Sequence, residues 1–437
     1  MVRARAVPSA GHDASAAEPS AAEADADAAA TGVLYVPPAP TAAAAIAAAA
    51  DDLPPLRVWE APDRREGGEF PLWLGADGRA DRVVVLVEGF DLYNRYSATD
   101  ALRLIGPAGD ALRAAGVDVL VVDFPDSHLA PDALAPRVAR AVRAASAAAG
   151  GRDVAVACLS AGGLAARWAL VAAEEAGAPL PARTVVFLDT PHRGARVNPA
   201  LQALVLRYGK RADRDALSSE AARALLAEAI TDPAAQVTWL RVGVPPAHRL
   251  VPAECRPTAE RHDAFFGRLR GLNDRGGYPK RCRLVAVANS SRGAGGPGPA
   301  AAESSRDCLL RMWLPWGCGW TLPAAAADRA AGSVMPRVYA EQFRVNYPLG
   351  LAGAYLRGAP TFLPNASALD AGPGEAPPFD AWYARPDGLQ PLAHDRVDPG
   401  AAAFAVRELL RPGTWEKPAP AVAADETAPF PPARRRQ

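Results

Sequence analysis

The sequence predicts an α/β protein whose mostly parallel central sheet is flanked by helices on both faces. Continuous β-branched runs, RVVVLVE (82–88), VDVLVVDF (117–124) and RTVVFLDT (183–190), have the composition of strands buried on both faces. Ala/Leu-rich stretches of helical length lie between them, and strands that alternate with helices return in parallel. A third observation is VAVACLSAGGLAARWAL (154–170), where an apolar strand-like segment runs through small residues around Ser160 into a helix.

In chain order, LRVWE (56–60) and FPLWL (70–74) read as a short antiparallel pair, followed by the strand at 82–88. A helical stretch is expected over about 98–115, then the strand at 117–124. DALAPRVARAVRAASAAAG (132–150) is a helix closed by glycines. The strand ending near Ser160 leads into a helix over 162–177 and then the sixth strand at 183–190. RCRLVAVAN (281–289) and APTFLPN (359–365) are the last strands expected, and a final helix lies near 400–411.

Residues 196–280 interrupt this alternation with helical stretches such as SSEAARALLAEAI and HDAFFGRLRGLN. A helical insertion after the sixth strand is expected to cover the carboxyl edge of the sheet as a cap or lid. The plainer alternative is a structural helical subdomain. Residues 1–52, rich in Ala, Asp, Glu, Pro and Ser, cannot bury enough surface to offset their ordering entropy and are expected to be disordered. The Pro/Ala-rich tail 414–437 reads the same way, which leaves 53–413 as the folded domain.

The chain has 437 residues, of which half are apolar and 22% charged, enough for a sizeable core in one large domain or two ordinary ones. Its formal net charge is zero. That argues against a nucleic-acid-binding surface or a polybasic membrane anchor as its main role, and the closing ARRR (433–436) is a solvated tip. The five cysteines (158, 255, 282, 308, 318) make neither a disulfide framework nor a C-x-x-C zinc pattern. Cys308 and Cys318 flank a Trp-rich segment, part of CLLRMWLPWGCGWTL (308–322). They either staple a hairpin in an oxidising compartment or stay unpaired, and the segment either contacts lipid or packs in the core.

The basic residues near Met1 are followed by no apolar core of a signal peptide, so the default expectation is a cytoplasmic protein. A misassigned start site would reverse it. TAAAAIAAAA (41–50) is too short and weakly apolar to span a bilayer, so no transmembrane segment is expected, and peripheral membrane contact stays open. Oligomeric state is not legible.

A serine on a tight strand-to-helix turn is either a nucleophile or a helix cap. The nucleophile reading requires small residues two before and two after the serine, because the following helix packs close to neighbouring strands. Gly162, followed by Gly163, satisfies the second condition, whereas Cys158 stands where glycine is usual. Cysteine is a compact buried hydrophobe, so Cys158 is read as structural.

LVEGFDLYN (86–94), SAGGLAARWAL (160–170) and LDTPHRGA (188–195), with SALD (367–370) and LAHDRV (392–397), resemble the α/β-hydrolase superfamily. The resemblance is to its lipase-like serine esterases, with a flavour of inositol-deacylase-type lipases, and it covers roughly 55–411. It implies Ser160 as nucleophile and an oxyanion hole from the backbone N–H groups of Phe90 and Ala161. In the family's chain order of serine, acid and histidine, His394 is the base. Asp189, at the end of the sixth strand, is the acid, since NSSRGAGGPG after the next strand has no carboxylate. Asp370 is the alternative acid. Glu88 replaces the family's commoner histidine, and His192 reads as structural. No metal or organic cofactor is implied. The activity implied is hydrolysis of a small-molecule or lipid ester through an acyl-enzyme. The alternatives are an acyltransferase with the same three residues, or a non-catalytic hydrolase-like binding protein.

Overall fold

Alternation of side chains along the buried runs lets one strand feed two apolar layers at once. In the computed structural model of the protein, Val83–Val87 is such a strand, with every residue fully buried. The structure describes residues 58–59, 70–197, 202, 205–206, 210–230, 258–291, 310–313, 319–322, 331–335, 345–346, 353–356, 361–372, 374–387, 389 and 391–415. All of them fall within one unit, Pro38–Gln437. The segment 1–52 and the tail beyond Trp415 lie outside the described residues, as do Cys255, Cys308 and Cys318.

The central sheet has eight strands: β1 (Val58–Trp59), β2 (Phe70–Trp73), β3 (Val83–Val87), β4 (Asp118–Val122), β5 (Val154–Leu159), β6 (Ala182–Leu188), β7 (Arg283–Ala288) and β8 (Ala381–Ala384). Their order is β1-β2-β4-β3-β5-β6-β7-β8. From β4 to β8 every neighbouring pair is parallel, while β1–β2 and β2–β4 are antiparallel.

Helices α1 (Ala98–Leu104), α2 (Pro107–Ala114), α3 (Pro131–Ala148) and α4 (Gly162–Glu175) connect the first strands. Three more, α5 (Arg211–Leu217), α6 (Glu220–Leu225) and α7 (Glu260–Arg270), follow β6, and α8 (Pro399–Leu409) follows β8. Val83, Val85 and Val87 pack with the inward residues of α3 and α4, and Val84 and Leu86 with those of α1, α2 and α8. The strand order, with helices on both faces, is that of the α/β-hydrolase fold.

One expectation is refined and one corrected. The helical stretch expected over 98–115 forms as two helices, because Gly106 takes φ 45° and Pro107, lacking an N–H, starts α2. Thr361–Pro364 also does not extend the central sheet; it pairs antiparallel with Gly332–Val334. The sheet ends instead on β8, parallel to β7. AWYA gives little signal of a strand in the sequence, because a four-residue edge strand with Trp382 39% exposed carries no long apolar run.

Part of the Trp-rich segment is described: Leu310–Trp313 pairs antiparallel with Gly319–Leu322 within a separate four-stranded sheet. No described helix is long and apolar enough to cross a membrane.

Candidate active site

β5 ends at Leu159, and the chain reverses through Ser160 into α4. Ser160 has φ 49°, a left-handed backbone that costs a non-glycine residue energy unless its surroundings enforce it. Here the Ser160 N–H donates to the Leu188 carbonyl at the end of β6 (3.0 Å). The helix that follows can approach only because its first residues lack side chains. A Cβ on Gly162 would stand 1.9 Å from the Glu88 carbonyl oxygen, and one on Gly163 2.1 Å from Thr190 Oγ1. Cys158 is fully buried in the apolar cluster that holds Val87, Phe187 and the α4 alanines, where a compact side chain fits. Burial pushes its thiol far above the ordinary range, so it is no nucleophile.

Three distant segments meet at Ser160. His394 Nε2 lies 2.6 Å from Ser160 Oγ, and His394 Nδ1 lies 2.7 Å from Asp189 Oδ2. An ionised carboxylate only accepts, so the proton sits on Nδ1 and Nε2 is left to accept the serine hydroxyl. Asp189, at the end of β6 with φ 47°, is 2% exposed. Its N–H donates to the Val287 carbonyl (2.9 Å), and its Oδ1 accepts the Asn289 N–H (3.2 Å). The loop bearing His394 is tied down in turn. The His394 N–H donates to the Val334 carbonyl (3.0 Å), the Leu392 N–H to the Asn289 carbonyl (3.0 Å), and Asn289 Nδ2 to the Arg396 carbonyl (2.8 Å). The Phe362 ring, 4.9 Å from the imidazole between centroids, closes one side.

Sequence reasoning did not single out Asn289, Val334 or Phe362. Only the first left a signal: an amide at the end of a buried strand, in the loop noted for lacking a carboxylate.

Gly89, Phe90 and Ser160 line one cavity with Asp189 and His394. A side chain on Gly89 would stand 2.9 Å from Ser160 Cβ, so the turn after β3 lies directly against the serine. The Phe90 ring stacks on His128 at 5.2 Å. Ala161 is the N-cap of α4, so its N–H is among those at the positive end of that helix. The rest of the cavity is mostly apolar, lined by Leu104, Val287 and Phe362 together with Val205, Leu217 and Leu225 from the insertion after β6.

Asp370 does not reach His394. Its carboxylate accepts from Arg193 Nε (2.6 Å) and Tyr278 Oη (2.8 Å). His192 is also elsewhere, fully buried, with Nδ1 3.3 Å from Arg167 NH1. Burial, then the Arg167 charge, holds its pKa well below the usual histidine range. Arg167 itself donates to the Gly276 and Gly277 carbonyls (2.6 and 2.8 Å) and lies 3.5 Å over the Tyr278 ring. His262 contacts the Arg193 carbonyl (3.1 Å), whereas His12 and His248 lie outside the described residues. Among the described residues no group of His, Cys, Asp and Glu is placed to hold a metal ion.

The fold is thus that of the α/β hydrolases, and the site is a hydrogen-bonded Ser–His–Asp chain at its carboxyl edge. No protein-family model matches the sequence, and no curated protein matches it. Solved structures similar to it include a lipase of Bacillus licheniformis. Its mature form is 16% identical, with 53% of this chain and 78% of that one covered, at a TM-score of 0.32. For its propeptide form the figures are 17%, 53%, 42% and 0.32, so the match spans under half of that chain. An α/β serine hydrolase without a lid from Xanthomonas campestris is 18% identical over 28% of this chain and 56% of that one, at a TM-score of 0.23. Strand order and connectivity define the fold.

Proposed function

We propose that the protein is a serine carboxylic ester hydrolase of lipase or esterase type. The observation that carries this reading is the continuous run Asp189–His394–Ser160, with contacts of 2.7 and 2.6 Å, on a left-handed serine. Ser160 Oγ attacks the ester carbonyl carbon while His394 Nε2 takes its proton, and Asp189 holds the imidazole in the required tautomer and stabilises its charge. The oxyanion is received by the N–H groups of Phe90 and Ala161, each such donor being worth about 2.7–4 kcal/mol in a transition state. His394 then returns the proton to the departing alcohol, leaving an acyl-enzyme. Water, activated by the same histidine, releases the acid.

The apolar cavity walls suit an ester with a hydrocarbon acyl chain, and in this reading the insertion after β6 acts as a lid over it.

Labelling with a fluorophosphonate and turnover of p-nitrophenyl esters of graded chain length test the proposal. Ser160→Ala is expected to abolish labelling and lower kcat by roughly 10³-fold or more with the fold intact. Turnover unchanged in that variant would remove Ser160 from the reaction. Preferential transfer of the acyl group to an added alcohol rather than to water would make the enzyme an acyltransferase using the same residues.

A further inference from the structure

Glu88 ends the approach to the turn that carries Phe90, and its side chain has no part in the chemistry above. The residue is 2% exposed. Its N–H donates to the Val122 carbonyl at 3.1 Å, and its Oε1 accepts the N–H of Phe124. The carboxyl thereby continues the β3–β4 ladder beyond its last backbone pair, Val87 with Val122. On its other side, the Glu88 carbonyl oxygen occupies the space that a side chain on Gly162 would need. The end of β4, the turn after β3 and the start of α4 therefore converge on this one residue.

The second carboxyl oxygen, Oε2, is buried with no hydrogen-bond partner among the described residues. The charged and titratable groups facing Glu88 are Asp91 in the same turn, Asp123 after β4, Arg137 on α3 and Tyr96. Arg137 is directed at Asp123, with Nε 2.8 Å from its carbonyl and NH2 3.4 Å from its Oδ1. A carboxylate at Glu88 would have Asp91 and Asp123 as like-charged neighbours and, among the described residues, no salt bridge, with Arg137 its one opposing influence among the groups named, an unfavourable setting for a buried ion. Burial first, then Asp123 and Asp91, pushes its pKa up to about 8, although the Phe124 N–H and Arg137 pull the other way.

We propose that Glu88 is a positioning residue that acts as the neutral acid, setting the Glu88–Gly89–Phe90 turn against Ala161 and keeping negative charge away from the developing oxyanion. This rests on the reading of Phe90 and Ala161 as the oxyanion donors. Loss of the proton places a charge behind the turn, where it opposes the transition state more than the uncharged ground state. The rate should then fall as pH rises through about 8.

The test measures kcat and KM from pH 5.5 to 9.5 for the parent, Glu88→Gln and Glu88→Ala, with Ser160→Ala as the blank. Gln keeps the acceptor for Phe124 and cannot ionise. At pH 6.5 it should match the parent within about threefold, and at pH 9 it should hold its kcat while the parent has lost on the order of tenfold. Glu88→Ala should lose about tenfold or more in kcat at every pH, with KM unchanged. If the parent and Glu88→Gln decline together above pH 8, or if Glu88→Ala keeps the parent's kcat, the proposal is overturned while the hydrolase reading stands. A parent that neither labels with fluorophosphonate nor turns over any ester overturns the hydrolase reading itself. Should Glu88→Ala fail to fold, the Glu88→Gln profile decides.

Discussion

Ser160 and Asp189 both carry positive φ values, 49° and 47°, on non-glycine residues. In each case the N–H is bound to the end of the next strand, so the strain is enforced by the sheet rather than by the local sequence. Two carboxylates were candidates for orienting His394, and their surroundings differ. Asp189→Asn is expected to lower kcat by roughly 10³–10⁴-fold, because an amide opposite Nδ1 favours the wrong tautomer. Asp370→Ala should leave kcat near the parent's while lowering Tm, since Arg193 and the buried Tyr278 hydroxyl lose their acceptor. Kinetics and thermal denaturation on the same pair separate the two roles, and the reverse pattern would exchange them. Cys158 gives a third comparison. Cys158→Gly should stay active, whereas Cys158→Leu should lose about 1–3 kcal/mol to overpacking beneath the turn. A stable, fully active Leu variant would show the strand next to the serine to be loosely packed.

Among the elements, α4 owes its position to two glycines whose missing side chains face Glu88 and Thr190. Gly162→Ala puts a methyl group 1.9 Å from the Glu88 carbonyl, so the helix must retreat and take Ala161 with it. The expected result is a Tm drop together with loss of fluorophosphonate labelling; an unaltered labelling rate would mean that the turn has room to spare. Elements with long apolar runs, β3 to β7, were legible because each is fed by a buried stretch with an evident end. The break at Gly106–Pro107 could have been read from the dipeptide, since proline removes a donor and favours a helix start. β8 offered no such signal, because an edge strand is defined by its neighbour more than by its composition.

At the scale of the whole molecule, the buried titratable groups determine how stability responds to pH. Glu88 and Asp118, both mainly desolvated, have pKa values raised to about 8 and about 6 from ordinary values of 4.5 and 3.8. The folded state holds protons that the unfolded chain has released, so their stabilisation is complete below the unfolded pKa and is lost as pH rises through the folded one. His192 works the other way. Its lowered pKa makes the folded state lose stability as pH falls below the usual histidine range. The two effects oppose each other below about pH 6.5, leaving Glu88 in command above it. Urea unfolding should show stability falling by on the order of 2 kcal/mol between pH 6.5 and 8. Glu88→Gln should flatten that slope, and an unchanged slope would place the titrating group elsewhere.

The sequence by itself determined the α/β alternation, the small-residue turn around Ser160 and the identity of the few histidines and carboxylates available to it. These are properties of short windows, set by periodicity, side-chain volume and backbone freedom. The tertiary structure alone decided which carboxylate meets which histidine. Asp189 and His394 are 205 residues apart, and the intervening chain carries an insertion whose course no local pattern specifies. Their contact depends on β6 and β7 being neighbours and on Asn289 and Val334 holding the last loop across the sheet's edge. It also decided that Asp370 belongs to Arg193 and Tyr278 and that Arg137, though near Glu88, is hydrogen-bonded to Asp123 instead. Packing between distant segments sets burial and partner choice, and these two quantities decide what a carboxylate does.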